Sequence, residues 1–535
     1  MDDTSPSARN RFRRDHHHEA DVVVVGAGVF GCAAAHALAE QGRSVILLER
    51  WMHEPDRIVG ELLQPGGVAA LRTLGLEHCL EGIDSIPCYG YHCLYRGEEI
   101  AFEYPPLRED GSVVVGAGRR LEGQEGDEHT NGQTNGYTNG HVKGHTNGNG
   151  KGAAPVRPEG RSFHHGRFIM QLRKACQAHP NISVFETEVT ATIRGEHTDA
   201  VLGVQTRTKD PATGEKRPDC FFGQLTIIAD GYASTFRKEL LGTTPVVRSK
   251  FYALELIDCP FPPANHGHVV IGDQSLSLLY QIGTHETRAL IDIPTDHPAA
   301  TPKAGGARGF IQNIVLPSLP PHVQPSVRAA LADGKIPRSM PNSWLPPTKQ
   351  TRNTGVLVLG DAHNMRHPLT GGGMTIALND AILLARLLAP SQIPSLADHA
   401  AIRTAMAAFH ARRKDLTAIV NVLAQALYSL FAADGWQLRA LQRGCFRYFQ
   451  DGWTDEPVAM LGGVLRRPLT LAIHFFTVAF LAIRLHIIDV CFGGGPFGVT
   501  SVFGLLKLPW ALLQSVMILW TACVVFLPVM AAELR

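Results

Sequence analysis

The sequence has no excess of charge of either sign: 50 Lys and Arg stand against 49 Asp and Glu in 535 residues, a formal charge of +1. No global field draws such a chain to nucleic acid or to an acidic polymer, so its partners must be recognised locally. Its ten cysteines are scattered singly from Cys32 to Cys523, without a CxxC pair or a Cys/His cluster at ligand spacing. Neither a disulfide framework nor a metal site is expected, and the pattern suits reduced thiols facing the cytosol. The opening MDDTSPSARNRFRRDHHHEA contains no apolar run. It reads as a disordered tail over residues 1–20, His16 to His18 included, and not as a signal peptide or membrane span. Aliphatic residues almost vanish again in HTNGQTNGYTNGHVKGHTNGNG from His129. That repeat buries too little to offset its ordering entropy, so a disordered surface insertion is expected over residues 122–158.

What remains is rich. With 44% hydrophobic residues the chain can bury a large core in two or three structural units. From Ala20, ADVVVVGAGVFGCAAAHALAEQGRSVILLER reads as a buried strand, a glycine turn, a helix and a second strand ending at Glu49. Gly26 permits the tight turn, Gly28 lets a pyrophosphate approach the backbone, and Gly31 brings helix and strand together; Glu49 falls where an acid accepts bonds from an adenosine ribose. A second valine run before Gly116 lacks the third glycine and reads as a strand end. The segment LTIIADGYASTFRK ends a third buried strand in Asp230-Gly231, an ordinary turn if taken alone. A fourth apolar strand, TGVLVLGDAHN, ends in Gly360-Asp361 more than 300 residues after the first motif. In the same parallel sheet, Asp361 would meet the far end of a dinucleotide, where a carboxylate holds the ribityl chain of a flavin. Gly371 to Gly373 then remove side chains where a backbone approaches a flat ring, and the following helix aims its N-terminal amides at the same place. These features favour FAD over a nicotinamide.

The combination of GxGxxG, ADG and GDA resembles the FAD-dependent aromatic hydroxylase-like monooxygenases. Longer runs resemble one branch of them, the squalene monooxygenases (squalene epoxidases): EPDRIVGELLQPGG from Glu54, FHHGRFIMQLRK from Phe163, SMPNSWLPP from Ser339, NMRHPLTGGGMT from Asn364 and NVLAQALYSLF from Asn421. The resemblance covers most of the chain, and the Asn-Gly insertion and short polar N-terminus are its departures. It implies an α/β chain, α+β overall: a Rossmann-like FAD-binding domain over 21–245 with a return segment over 346–430, a mixed-sheet substrate region over 246–345, and C-terminal membrane-associated helices over 431–535. Besides the motif glycines Gly26, Gly28, Gly31 and Gly373, it places cofactor contacts on Val29, Phe30, Glu49, Arg50, Arg57, Leu62, Arg173, Val189, Asp361 and Met374, with Leu62 the loosest match.

Tyr91 matches the tyrosine that the family sets beside the reaction centre, with Gln64 as its neighbour; on its own, a tyrosine in an alternating strand reads as core. His165 and His363 have no acid or nucleophile paired with them and read as structural. The implied chemistry is attack of a flavin hydroperoxide, made from reduced FAD and O2, on a squalene double bond to give (3S)-2,3-epoxysqualene. The protein then owes a dry, apolar pocket more than it owes acids or bases, and the alternating segments from KFYALELIDC to LSLLYQIGTHETRALIDI would roof it. No second nucleotide motif is present, so the resemblance assigns the electrons to NADPH through NADPH-cytochrome P450 reductase, with transient NADPH binding near Asp230 left open.

The C-terminus carries LTLAIHFFTVAFLAI from Leu469, 15 residues and short for a span, and a longer apolar run from Leu508 that approaches the roughly 20 required. A hairpin, or a pair of helices lying in one leaflet, is expected in contact with membrane lipid. The expected location is the cytosolic face of the endoplasmic reticulum membrane, with microsomes and lipid droplets as further sites. Two alternatives stay open at this point: an epoxidase of another polyprenyl compound, and a non-catalytic lipid-binding protein with a dinucleotide fold.

Overall fold

The computed structural model describes residues 18–116, 155–210, 213–260, 262–332, 334, 336–350, 353–432, 435–493 and 506–534. Most of the expected tail (1–17) and of the expected insertion (122–154) lies outside these residues.

The strand predicted from the valine run is β1 (Glu19–Val25). Val22 and Val24 enter one hydrophobic cluster and Val23 and Val25 another, so both faces of the strand are covered, as a central parallel strand requires. It lies between β2 (Val45–Glu49) and β11 (Lys216–Ile228), with β8 (Ile182–Glu186) beyond β2, all parallel. The late strand β17 (Val356–Val358) pairs parallel with Thr226–Ile228 of β11, so the return segment does join the first sheet. An antiparallel pair, β9 (Glu188–Arg194) and β10 (Val201–Lys209), extends the other end of β11. Helices α1 (Val29–Ala39), α3 (His165–Ala178) and α5 (Gly373–Leu387) bury small and aliphatic residues on one face of this sheet.

A second sheet runs in the order β16 (Arg338–Trp344), β12 (Val246–Ile257), β15 (Glu286–Pro294), β14 (Leu276–Gln281), β13 (His266–Ile271), β5 (Gly90–Tyr95), β6 (Glu98–Glu103). Only the β13–β5 pair is parallel. The period of two is legible: Leu254, Leu256, Leu279, Ile291 and Ile293 face a cluster that includes Val327 and Leu331 of helix α4 (Gln324–Leu331). Phe251, Ala253, Val269, Leu278, Tyr280 and Leu290 face the opposite way, toward the crevice described below. Three short strands, β3 (Leu62–Leu63), β4 (Ile86–Cys88) and β7 (Gly160–Ser162), join antiparallel beneath helix α2 (Pro65–Thr73).

Helix α6 (His399–Phe431) starts where the Asp398 carboxylate accepts bonds from the amides of Ala400 and Ala401, an N-cap. It is followed by α7 (Trp436–Gln450), α8 (Pro468–Phe492) and α9 (Leu508–Leu534). The last two are antiparallel: Phe475 stacks on Phe526 with centroids 4.2 Å apart, and His486 bonds Gln514 at 3.1 Å. The apolar run at Leu469 does not end short of a span, as the sequence suggested. The helix continues to Phe492 because its polar residues find partners, Asp489 in Arg443 and His486 in Gln514, and both α8 and α9 are long and apolar enough to cross a membrane. Their outer faces expose Phe480, Trp510, Val516 and Trp520, an apolar surface compatible with membrane association.

Candidate active site

The three motif glycines serve different ends. Gly26 has φ +101°, and a Cβ there would meet the carbonyl oxygen of Ala229 at 2.4 Å; on Gly31 it would meet that of Gly26 at 1.8 Å. Both are demanded by close packing of β1, β11 and α1. Gly28 is extended, and a Cβ there would meet nothing within 4 Å. Its emptiness belongs to the crevice and not to the core.

At the far end of that crevice, Glu49 accepts the Ala27 amide at 2.8 Å and the Trp51 amide at 3.2 Å. The buried guanidinium of Arg173 sits 3.2 Å from Glu49 and donates to the carbonyls of Ala27 (3.0 Å), Trp51 (2.8 Å) and His53 (3.1 Å). Arg173 is therefore a strut that fixes the acidic loop after β2. Arg50 and Val189 line the same end.

Towards the middle, Arg57 faces Asp361 at 3.5 Å, and its Nε is buried without a partner. Gly360 has φ +65° and lies against Phe30, to whose Cβ an added methyl would come within 3.1 Å. The two Asp-Gly-type turns, read separately in the sequence, are joined by an arginine that the motif reading left without a role. Arg237 donates through Nε to Ala362 O (2.8 Å) and through Nη2 to the carbonyls of Gly231 (3.0 Å), Tyr232 (2.9 Å) and Asp361 (3.2 Å). The only sequence signal for this was a basic residue shortly after Asp230.

The triple glycine divides its work. Gly371 has φ +61°, a Cβ on Gly372 would strike Val420 of α6 at 2.3 Å, and Gly373 is open but for Arg366 at 3.7 Å. Packing on α6 thus demands one of the three glycines expected to clear space for a ring. All three line the crevice with Val29, Phe30, Leu62, Asp361 and Met374.

Beyond this lies an apolar chamber walled by Val269, Leu278 and Leu290 of the second sheet and by Met340, Met365 and Leu369. Tyr91 opens onto it, opposite Gly267 in the β13–β5 register, where an added Cβ would touch the Tyr91 ring at 3.3 Å. Gln64 lies behind, fully buried. Its Nε2 donates to Tyr91 Oη (2.5 Å) and Thr370 O (2.8 Å), and its Oε1 accepts from Tyr104 Oη (2.6 Å). Burial raises the Tyr91 pKa, so the phenol stays neutral, its oxygen held by the Gln64 amide. Tyr104 and the buried bidentate pair Arg288–Glu61 (2.9 Å, 2.9 Å) at the chamber edge were not legible as site features.

His165 Nδ1 donates to Gly60 O and His363 Nε2 to Thr348 O, each at 2.8 Å. Burial pulls both pKa values down to about 3, and that of His268 likewise, so none serves as a base near neutrality. The unfolded chain keeps ordinary values near 6.5, so below that pH it binds protons that the native state refuses. Stability is whole above about pH 6.5 and falls as pH drops toward 3, by about 2 kcal/mol per histidine at pH 5. The midpoint of chemical unfolding in detergent should fall between pH 7.5 and pH 5, and His363→Gln, which keeps a donor for Thr348, should flatten that dependence.

Geometry thus gathers the expected residues around one continuous cleft. Gly26, Glu49, Arg50, Arg173 and Val189 lie at one end, Gly28 and Arg57 in the middle, and Asp361, Gly373, Met374 and Tyr91 at the other. Gln64 and Gly31 stand behind it. The cleft fits FAD: an unobstructed approach at Gly28, an acid at the ribose end, and a buried polar atom without a partner on each of two lining residues, Arg57 and Asp230.

Comparison with known proteins agrees. A family model for FAD dependent oxidoreductases matches residues 21–283, and one for squalene epoxidase matches residues 222–499. The chain is 57% identical over 530 residues to a squalene epoxidase of Gibberella zeae, covering 99% of this chain and 98% of that one. It is 37% identical over 522 residues to a squalene monooxygenase of Mus musculus, covering 97% and 78%. Among solved structures, p-nitrophenol 4-monooxygenase from Pseudomonas putida superposes with a TM-score of 0.58 at 16% identity, covering 84% of this chain and 100% of that one. A probable FAD-dependent monooxygenase from Pseudomonas aeruginosa gives 0.54 at 20%, covering 78% and 97%. These two share the fold. Identity of 57% and 37% over nearly the whole chain settles the family: this chain is a member of the squalene epoxidases.

Proposed function

We propose that the chain is an FAD-dependent squalene monooxygenase, converting squalene, O2, NADPH and a proton into (3S)-2,3-epoxysqualene, NADP+ and water in sterol synthesis. The observation that carries this reading is the continuity of the dinucleotide cleft at Gly28 and Asp361 with an apolar chamber under the second sheet. Bound FAD supplies the activation of O2 and the transfer of one oxygen atom. The chain supplies the rest. Glu49 and Arg50 hold the adenosine end, Gly28 admits the pyrophosphate, and Asp361 with Arg57 receives the ribityl chain. Leu278, Leu290 and Leu369 exclude water and align a terminal double bond. Tyr91, its oxygen fixed by Gln64, keeps a hydrogen-bond donor at the chamber wall. Residues 21–245 with 346–430 form the FAD-binding unit, except that β5 and β6 leave it for the second sheet and so belong with 246–345 to the substrate unit, and 431–535 form the anchor.

Electrons reach the flavin from NADPH-cytochrome P450 reductase on the cytosolic face of the endoplasmic reticulum. The single nucleotide motif and the bare apolar faces of α8 and α9 support this arrangement. Purification in detergent should yield a yellow protein whose O2 uptake, with that reductase and NADPH, depends on squalene. A colourless preparation would sink the proposal, and preference for another polyprenyl compound would reassign the substrate. Asp361→Ala is expected to lose bound FAD during gel filtration while the apoprotein stays folded.

A further inference from the structure

Arg366 is a buried cation that the reading above leaves unused. It lines the cleft, and its Nη2 lies 3.7 Å from the Cβ position of Gly373, the first residue of α5. Its hydrogen-bond partners are neutral: Nη1 donates to Asn421 Oδ1 (3.3 Å) and Nη2 to Asn364 O (3.2 Å). Among the described residues no carboxylate forms an ion pair with it. Nearby Asp380 is engaged by Arg413, at 2.5 and 3.1 Å, and Asp361 faces Arg57. A buried guanidinium whose nearest carboxylates act only at a distance is costly, unless the cleft itself brings a negative charge.

Asn421 is held in one orientation. Its Nδ2 donates to Glu533 Oε1 and to Asn364 Oδ1, each at 3.0 Å, which turns its Oδ1 to Arg366. A flipped amide would set N–H groups against the guanidinium and oxygen against oxygen. Glu533 is a buried carboxylate in the last turn of the otherwise apolar α9, and Lys414 lies 3.8 Å from it. Its burial there serves no packing need that a leucine would not meet.

Building on the FAD reading, we infer that Arg366 balances the negative charge that reduced FAD carries on its pyrimidine edge, and that Glu533, acting through Asn421, is the positioning residue that holds Arg366 to this task. Reduced FAD is then bound more tightly than oxidised FAD, and the flavin midpoint potential is raised by that ratio.

The test is the midpoint potential of the detergent-purified holoenzyme, measured against reference dyes, beside its thermal unfolding temperature. Arg366→Gln should weaken binding of reduced relative to oxidised FAD about tenfold, a fall of about 30 mV for a two-electron couple, and Arg366→Lys should recover part of it. Glu533→Leu should lower the potential in the same direction, Glu533→Gln less, and Glu533→Leu added to Arg366→Gln should lower it no further than Arg366→Gln alone. Asn421→Leu breaks the relay from α6 without touching α9 and should shift the potential equally. An unchanged potential in Arg366→Gln would overturn the inference. A lowered unfolding temperature with unchanged potential in both Glu533→Leu and Asn421→Leu would reduce Glu533 to a fastener of the helix and overturn its positioning role. A wild-type protein without flavin would instead remove the FAD reading on which this rests.

Discussion

Gly28→Val is expected to abolish FAD retention while leaving the apoprotein as stable as the wild type. The glycine is in an extended conformation that any residue adopts, and its Cβ would project into space with nothing within 4 Å, so the folded chain has no objection to the substitution. The ligand does. A branched side chain across the pyrophosphate path should raise the FAD Kd by about 100-fold or more, roughly 3 kcal/mol. Gly31→Val should fail in the opposite way. Its Cβ would lie 1.8 Å from the Gly26 carbonyl oxygen, so α1 must move off β1, and strain of several kcal/mol is enough to unfold a marginal domain. Flavin fluorescence after gel filtration, read beside thermal unfolding of the apoprotein, separates the two. Equal destabilisation by both variants would contradict the division of roles described for this turn.

The second large effect is expected at Gln64. Gln64→Leu removes an acceptor from Tyr104, a donor from Tyr91 and a donor from Thr370 O, all inside a dry cluster. At about 1–3 kcal/mol for each orphaned group, the loss is a sizeable part of a domain's stability. Because Thr370 immediately precedes the triple glycine, weakened FAD binding should accompany the fall in unfolding temperature. Tyr91→Phe strips a single hydroxyl and leaves Gln64 its bonds to Thr370 and Tyr104. It should cost about 1 kcal/mol of stability, retain FAD, and lower kcat/KM for squalene by at least about tenfold. Normal turnover in the phenylalanine variant would remove Tyr91 from the site.

The parts of the fold that were legible are those whose physics is local. A strand buried on both faces needs an unbroken valine run, a dinucleotide turn needs glycines at fixed offsets, and the return strand at Val356 announced itself by the same apolar run and terminal Gly-Asp. What stayed hidden depends on residues far apart in sequence. Arg237 is an ordinary surface-type residue until the fold surrounds it with carbonyls, and Arg173, placed at the site by the family resemblance, shows its role as a strut only there. Gln64, Tyr104 and Thr370 form a cluster only because α2, β6 and the turn before α5 converge. The extent of α8 was misjudged for a related reason. A helix containing Arg484, His486 and Asp489 looks interrupted until the neighbouring helices supply partners for two of them.

Arg237 also constrains how the cleft can breathe. By tying the carbonyls of Gly231, Tyr232, Asp361 and Ala362 to one guanidinium, it turns the floor beneath the cofactor into a single rigid plate, since separating the two turns would strand a buried cation and several bonds at once. The two turns therefore hold their places together, and removing the guanidinium should be felt at Asp230 and Asp361 alike.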